Sequence, residues 1–150
     1  MHNYSYWVWP LEGLARTGPG NHLSETDRLI GDRSSVWLLS RLKETGCMDE
    51  NGTLVNTQIS NAVKYLPPQN RPKADEIKRC VERWLIQELD GPSVILALGR
   101  VAHEATLRAF SQPFRRHQFA HGAIHKLETV TRVDSFHPSP LNTQTGRLSV

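Results

Sequence analysis

Ser93–Phe110 reads SVILALGRVAHEATLRAF. Val94–Leu98 is wholly apolar and bounded by turn residues, the mark of a strand covered on both faces. A helical pattern begins on the residue after Gly99, so a single glycine separates strand from helix. A strand covered on both sides needs neighbouring strands and two layers of helix, and the flanking sequence supplies them.

Upstream, Ile77, Val81, Trp84, Leu85 and Leu89 fall on one face of a helix spanning residues 74–89. Before it, TLVNTQISNAV is rich in β-branched residues and reads as a strand, followed by the polar loop KYLPPQNRPK. After GDRSS, where Asp32 or Ser34 can cap, Val36, Leu39 and Leu42, with Trp37, predict a helix that stops near Gly46. SYWVWPL reads as a strand ended by Pro10, and LARTGPGNH as a loop turning at Gly18, Pro19 and Gly20. Downstream, TVTRVDSF is a last strand that runs into FHPSPLNTQTGRL, residues 136–148. Prolines on both sides of Ser139 argue against helix there and for an ordered loop.

Strand and helix alternate throughout, which predicts an α/β fold: a three-layer α/β/α sandwich on a central, mostly parallel four-stranded sheet. The 150 residues suit one domain, with no internal repeat. Ligands of such folds bind outside the carboxyl ends of the strands. The loops after all four strands therefore share one edge.

Composition narrows the function classes. Lys and Arg number 18 against 15 Asp and Glu, a formal charge of +3 that permits a polyanionic partner without demanding one. Cys47 and Cys80 are the only cysteines and form no CxxC pair, which excludes a disulfide framework and a four-thiolate metal site. The start, MHNYSYWVWPLEG, lacks the pattern of a signal peptide, and no apolar run approaches membrane length; the expectation is a soluble, cytosolic protein.

GLA, GDRSS, ISNAVKYLPPQNRP, VILALGRVA, FAHGA and SFHPSPLNTQTGRL, in this order from Gly13 to Leu148, resemble the uracil-DNA glycosylase superfamily, especially its families four and five. The last segment looks like family five in particular. The resemblance implies an enzyme that flips one nucleotide out of DNA and cleaves the bond between base and sugar. His137 is then the donor to the charge growing on the leaving pyrimidine. Ser139 bonds a phosphate, Leu141 fills the gap left by the flipped base, and Arg100, Arg147 and Asn142 contact DNA. Asp32 matches the aspartate that positions water, although it can equally cap the following helix; Asn21 and Asp27 are rivals in the same loop. Asn61 matches the asparagine that reads the Watson-Crick edge of the pyrimidine, and its amide suits uracil or a cytosine derivative.

Departures from the family pattern refine these expectations. Of the four cysteines that hold an iron-sulfur cluster in families four and five, only Cys80 remains, with Tyr65 in place of another, so no cofactor is expected. Arg16 and Thr17 are inserted in the first motif, and Leu29 stands where an aromatic residue would stack on the base. Arg16, Asn21 and His22 are then available to a polar substituent. The chain ends at Val150, where relatives continue into another helix, which implies a minimal member of the family. These features resemble a small branch that defends bacteria against phages. The expected activity is monofunctional excision of a bulky modified cytosine, such as glucosylated 5-hydroxymethylcytosine in phage DNA, by a monomer. The alternatives are uracil excision in base repair and an inactive DNA-binding relative.

Overall fold

The computed structural model describes the backbone of residues 5–9 and residues 33–64 and 72–148 in full. All described strands lie in one sheet of order β2-β1-β3-β5-β4. Its members are β1 (Ser5–Trp9), β2 (Thr57–Asn61), β3 (Val94–Leu98), β4 (Ile124–Lys126) and β5 (Thr131–Ser135). The four strands expected from sequence are all present and pair in parallel. The fifth, β4, pairs antiparallel with β5 at the edge. IHK has neither apolar alternation nor β-branched enrichment beyond Ile124; its pairing with β5 makes it a strand.

The helices are α1 (Arg33–Glu44), α2 (Ala74–Cys80) continued by a π-helical turn (Val81–Leu85) and α3 (Ile86–Glu88), α4 (Arg100–Ala109) and α5 (Pro140–Gln144). Alternation along β3 divides them between two layers. Ile95 and Ala97 pack with Ile77, Cys80, Val81 and Leu85 of the α2–α3 rod and with Ala102 and Ala105 of α4. Leu96 and Leu98 face the opposite way and pack with Leu38 and Leu42 of α1 and with Ile59 of β2. The uninterrupted apolar run is thus a strand buried on both sides.

Four details differ from the sequence reading. The buried face of α1 is Ser34, Ser35, Leu38 and Leu42, while Val36 is 69% exposed. VWLL offers apolar residues to every face, so periodicity alone chose wrongly, and two small serines let the helix approach the sheet. In the α2–α3 rod, Ile77, Val81, Leu85 and Leu89 are buried at four-residue spacing, and Trp84 is 38% exposed. The π turn widens the helical repeat there and rotates Trp84 off the core face. β2 is shorter than TLVNTQISNAV: Asn56 has φ +47°, which breaks the extended run just before Thr57. Finally, PLNTQ is helical, because Pro140 occupies the first turn, where its missing N–H costs nothing.

Candidate active site at the carboxyl edge of the sheet

The chain moves outward from β1 to β2 by way of α1, then returns across β1 to β3 by way of α2 on the other face. In open α/β sheets a reversal of this kind is where a ligand crevice lies, here beyond the carboxyl ends of β1 and β3. Asn61, the last residue of β2, stands on one side of it; His137, two residues beyond β5, stands on the other. Three strand spacings separate β2 from β5, about 14 Å.

Asn61 is buried, and the turn after it is tied to the helical layer. The Lys64 amide N–H donates to Cys80 Sγ at 3.5 Å, and the Lys64 ammonium pairs with Glu88 of α3 and bonds Ser60 Oγ at 2.6 Å. The Ser60 hydroxyl also donates to the Glu88 carboxylate. Burial pushes the Cys80 thiol above its ordinary pKa, against the opposing influence of the Lys64 N–H, so the sulfur is an acceptor held as thiol.

His137 is buried and its backbone is held from several directions. Behind it lies Gly99, where a β-carbon would come 3.2 Å from His137 Cβ. Gly99 N–H donates to the Ser135 carbonyl at 2.8 Å, which ties the start of α4 to the end of β5. Ahead of it, Asn142 Nδ2 donates to the His137 carbonyl at 2.7 Å. Asn142, read as a DNA contact, thus uses one amide N–H to close the loop onto α5. Ser139 is the N-cap residue of α5, yet its carbonyl and not its hydroxyl makes the local bonds, to the N–H groups of Asn142 and Thr143. Leu141 is 67% exposed on α5. Arg147 is exposed, and Arg100 is exposed at the start of α4 with its guanidinium 5.6 Å from the Phe119 ring centroid. Asp32, Asn21, Leu29, Arg16 and His22 lie outside the described residues, as does Asp27.

One cluster beside the loop was not read from sequence. Asp134 of β5 is fully buried, and its Oδ2 accepts from His103 Nδ1 at 2.8 Å and His125 Nε2 at 3.2 Å. The equally buried Arg132 places Nη2 3.5 Å from the same oxygen and donates from Nη1 to the His103 carbonyl at 3.4 Å. Desolvation pulls the Arg132 pKa down and the Asp134 carboxylate opposes it. The signal lay in TRVDS, where arginine and aspartate share one face of a strand at spacing two. A second omission was His121, which stacks on Phe136 and accepts its N–H.

An iron-sulfur cluster does not fit these residues. Cys80 lies in the core of the α2–α4 layer, whereas Cys47 packs against the α1 cluster on the opposite side of the sheet. Two thiols in separate layers do not provide four thiolates around one centre. Among the described residues, no group of His, Cys, Asp and Glu is arranged to hold a metal ion. Among the described residues, no helix is long and apolar enough to cross a membrane.

Comparison with known proteins agrees with this architecture. The family model described as "Uracil DNA glycosylase superfamily" matches residues 17–149. A type-5 uracil-DNA glycosylase of Pyrobaculum aerophilum is 42% identical over 171 aligned positions, covering 99% of this chain and 74% of the relative. A second type-5 uracil-DNA glycosylase, from Thermus thermophilus, is 34% identical, covering 96% of this chain and 75% of its own length. A type-4 uracil-DNA glycosylase of Thermotoga maritima is 37% identical over 57% of this chain. The mostly parallel sheet, the match along nearly all of the sequence and two relatives of this extent lead to one assignment: the chain belongs to the uracil-DNA glycosylase superfamily.

Proposed function

We propose that the chain, as one domain spanning residues 1–150, is a monofunctional glycosylase that removes uracil from DNA and leaves an abasic site. A DNA glycosylase follows from the family; the base and the residue roles are our reading. The observation that carries it is His137, buried and clamped at the carboxyl edge, across the crevice from Asn61. Two type-5 relatives named as uracil-DNA glycosylases support the choice of base.

In this reading the target nucleotide leaves the duplex and its base enters the crevice, where the Asn61 amide meets the Watson-Crick edge. The bond from C1′ to the base nitrogen breaks, and its electron pair goes to the base, where it is delocalised onto a carbonyl oxygen that becomes anionic. An N–H of His137 donates to that oxygen, already aimed because the loop is fixed before substrate arrives. Water adds to the cationic sugar at C1′ and gives up a proton to the Asp32 carboxylate beside it, with Asn21 as the rival group for positioning that water. Ser139, Arg100 and Arg147 grip phosphates, and Leu141 occupies the vacated stack. The protein acts as a monomer on cytoplasmic DNA.

A second reading keeps the chemistry and changes the base. Arg16–Asp32 carries the inserted Arg16 and Thr17 and has Leu29 in place of a stacking aromatic, which favours a bulky, polar cytosine derivative and phage DNA as partner. One experiment separates the two: uracil-containing duplex and glucosylated phage DNA are each incubated with the protein, abasic sites are scored after alkali, and the released base is identified by mass. Abasic sites in the uracil duplex alone support the first reading; release from phage DNA alone overturns it. His137→Ala should slow excision by about 100- to 1,000-fold, the usual effect of removing one oxyanion donor. Unchanged excision in this variant would remove His137 from the chemistry.

A further inference from the structure

We propose that His121 is a positioning residue for His137, acting through the backbone of Phe136; the proposal rests on the role given to His137 above. The β4–β5 ladder continues past its last strand residues: Asp134 N–H donates to the Ala123 carbonyl at 2.9 Å, and Gly122 N–H to the Asp134 carbonyl at 2.8 Å. The next outward-facing donor on that side is the N–H of Phe136. Gly122 has φ +78°, so the partner chain turns away there, and the His121 side chain takes up the pairing. Its Nδ1 accepts the Phe136 N–H at 3.2 Å, as an imidazole in place of a ladder carbonyl.

The ring also stacks on the Phe136 side chain, centroids 4.8 Å apart and planes 8° from parallel. A ring nitrogen that accepts a backbone N–H carries no proton, so the neutral imidazole holds its proton on Nε2. Phe136 is the residue immediately before His137. The Asn142 amide holds the carbonyl of His137 and Gly99 closes the space behind it; on the amino-terminal side the Ser135–Phe136 peptide is held at its carbonyl by the Gly99 N–H and at its N–H by His121. Losing that restraint leaves the DNA-gripping groups in place and loosens only the aim of the donor, which appears in the chemical step more than in binding.

Three variants separate the hydrogen bond from the stack. His121→Phe keeps a ring over Phe136 and removes the acceptor; His121→Asn loses the ring but keeps an acceptor near the Nδ1 position; His121→Ala loses both. On uracil-containing duplex, the single-turnover excision rate of His121→Phe should fall roughly fivefold to tenfold, the scale of one hydrogen bond. His121→Asn should return to within about twofold of wild type, and the Kd for duplex should change by less than about twofold in all three. Wild-type excision by His121→Phe, or an equal loss in His121→Asn, overturns the proposal. Amide exchange of Phe136 gives a readout independent of substrate: protection should be lost in His121→Phe and kept in His121→Asn. If the wild-type protein leaves uracil DNA intact, the choice of base fails, while the exchange pattern still decides the role of His121.

Discussion

At the scale of single residues, the site depends on a close approach between two chain segments. Gly99 has φ +89° and ψ 169°, a combination that a side chain makes costly by about 1–3 kcal/mol. An added methyl would also press on His137 Cβ at 3.2 Å. Gly99→Ala should therefore cost about 1–3 kcal/mol in urea unfolding and slow single-turnover excision by more than about tenfold, because the strain is relieved by moving the histidine loop. Wild-type excision from a destabilised variant would place the strain elsewhere. His137 and its prolines were legible because HPSPLN is a contiguous motif. The need for glycine at position 99 was only half legible: sequence showed a strand meeting a helix, but the loop packed behind it comes from 38 residues further along. The bond from the Asn142 amide to the His137 carbonyl was likewise not legible in the sequence.

At the scale of elements, the short helix α5 turns the motif into a tool. Pro140 starts it, the Ser139 carbonyl accepts from Asn142 and Thr143, and Leu141 is left 67% exposed in the first turn. A leucine this exposed buries little surface in the fold and is available for a ligand. Leu141→Ala should leave the unfolding free energy within about 0.5 kcal/mol of wild type. On duplex it should slow excision severalfold to tenfold, and on single-stranded substrate, where no stack has to be refilled, it should have little effect. Equal losses on both substrates would assign Leu141 a role other than filling the gap. The four parallel strands and the longer helices were legible from period and bounding residues, whereas α5, read as loop, and β4 were not; element faces were less legible still. VWLL at the start of α1 satisfies any helical face, and the packing against Ile59 and Leu98 chose Leu38. Trp84 obeyed the sequence period until the π turn changed the period itself.

At the scale of the whole molecule, the sheet carries a polar core at one edge. Arg132, Asp134, His103 and His125 are gathered where α4, β4 and β5 meet, around the strand that leads into the loop bearing His137. Neither β4 nor this core was foreseen, because a buried arginine and aspartate look like solvent-facing residues until the partner strand is in place. The cluster also gives the fold a dependence on pH through His117, whose ring lies 5.4 Å from that of His125. Desolvation lowers the His117 pKa below its ordinary 6.5, and the nearby charges of Arg132, His125, His103 and Arg116 act in the same direction. A folded-state pKa below the unfolded one means that the unfolded chain binds the proton more readily. This residue therefore costs nothing above about pH 7, and it subtracts stability as the pH falls through the ordinary imidazole value. His117→Gln removes the proton site and keeps a polar side chain. Between pH 7.5 and 5.5 the urea midpoint of the variant should drop less than that of the wild type, with the other histidines common to both. An equal or larger drop in the variant would show that the acid sensitivity arises elsewhere in the cluster.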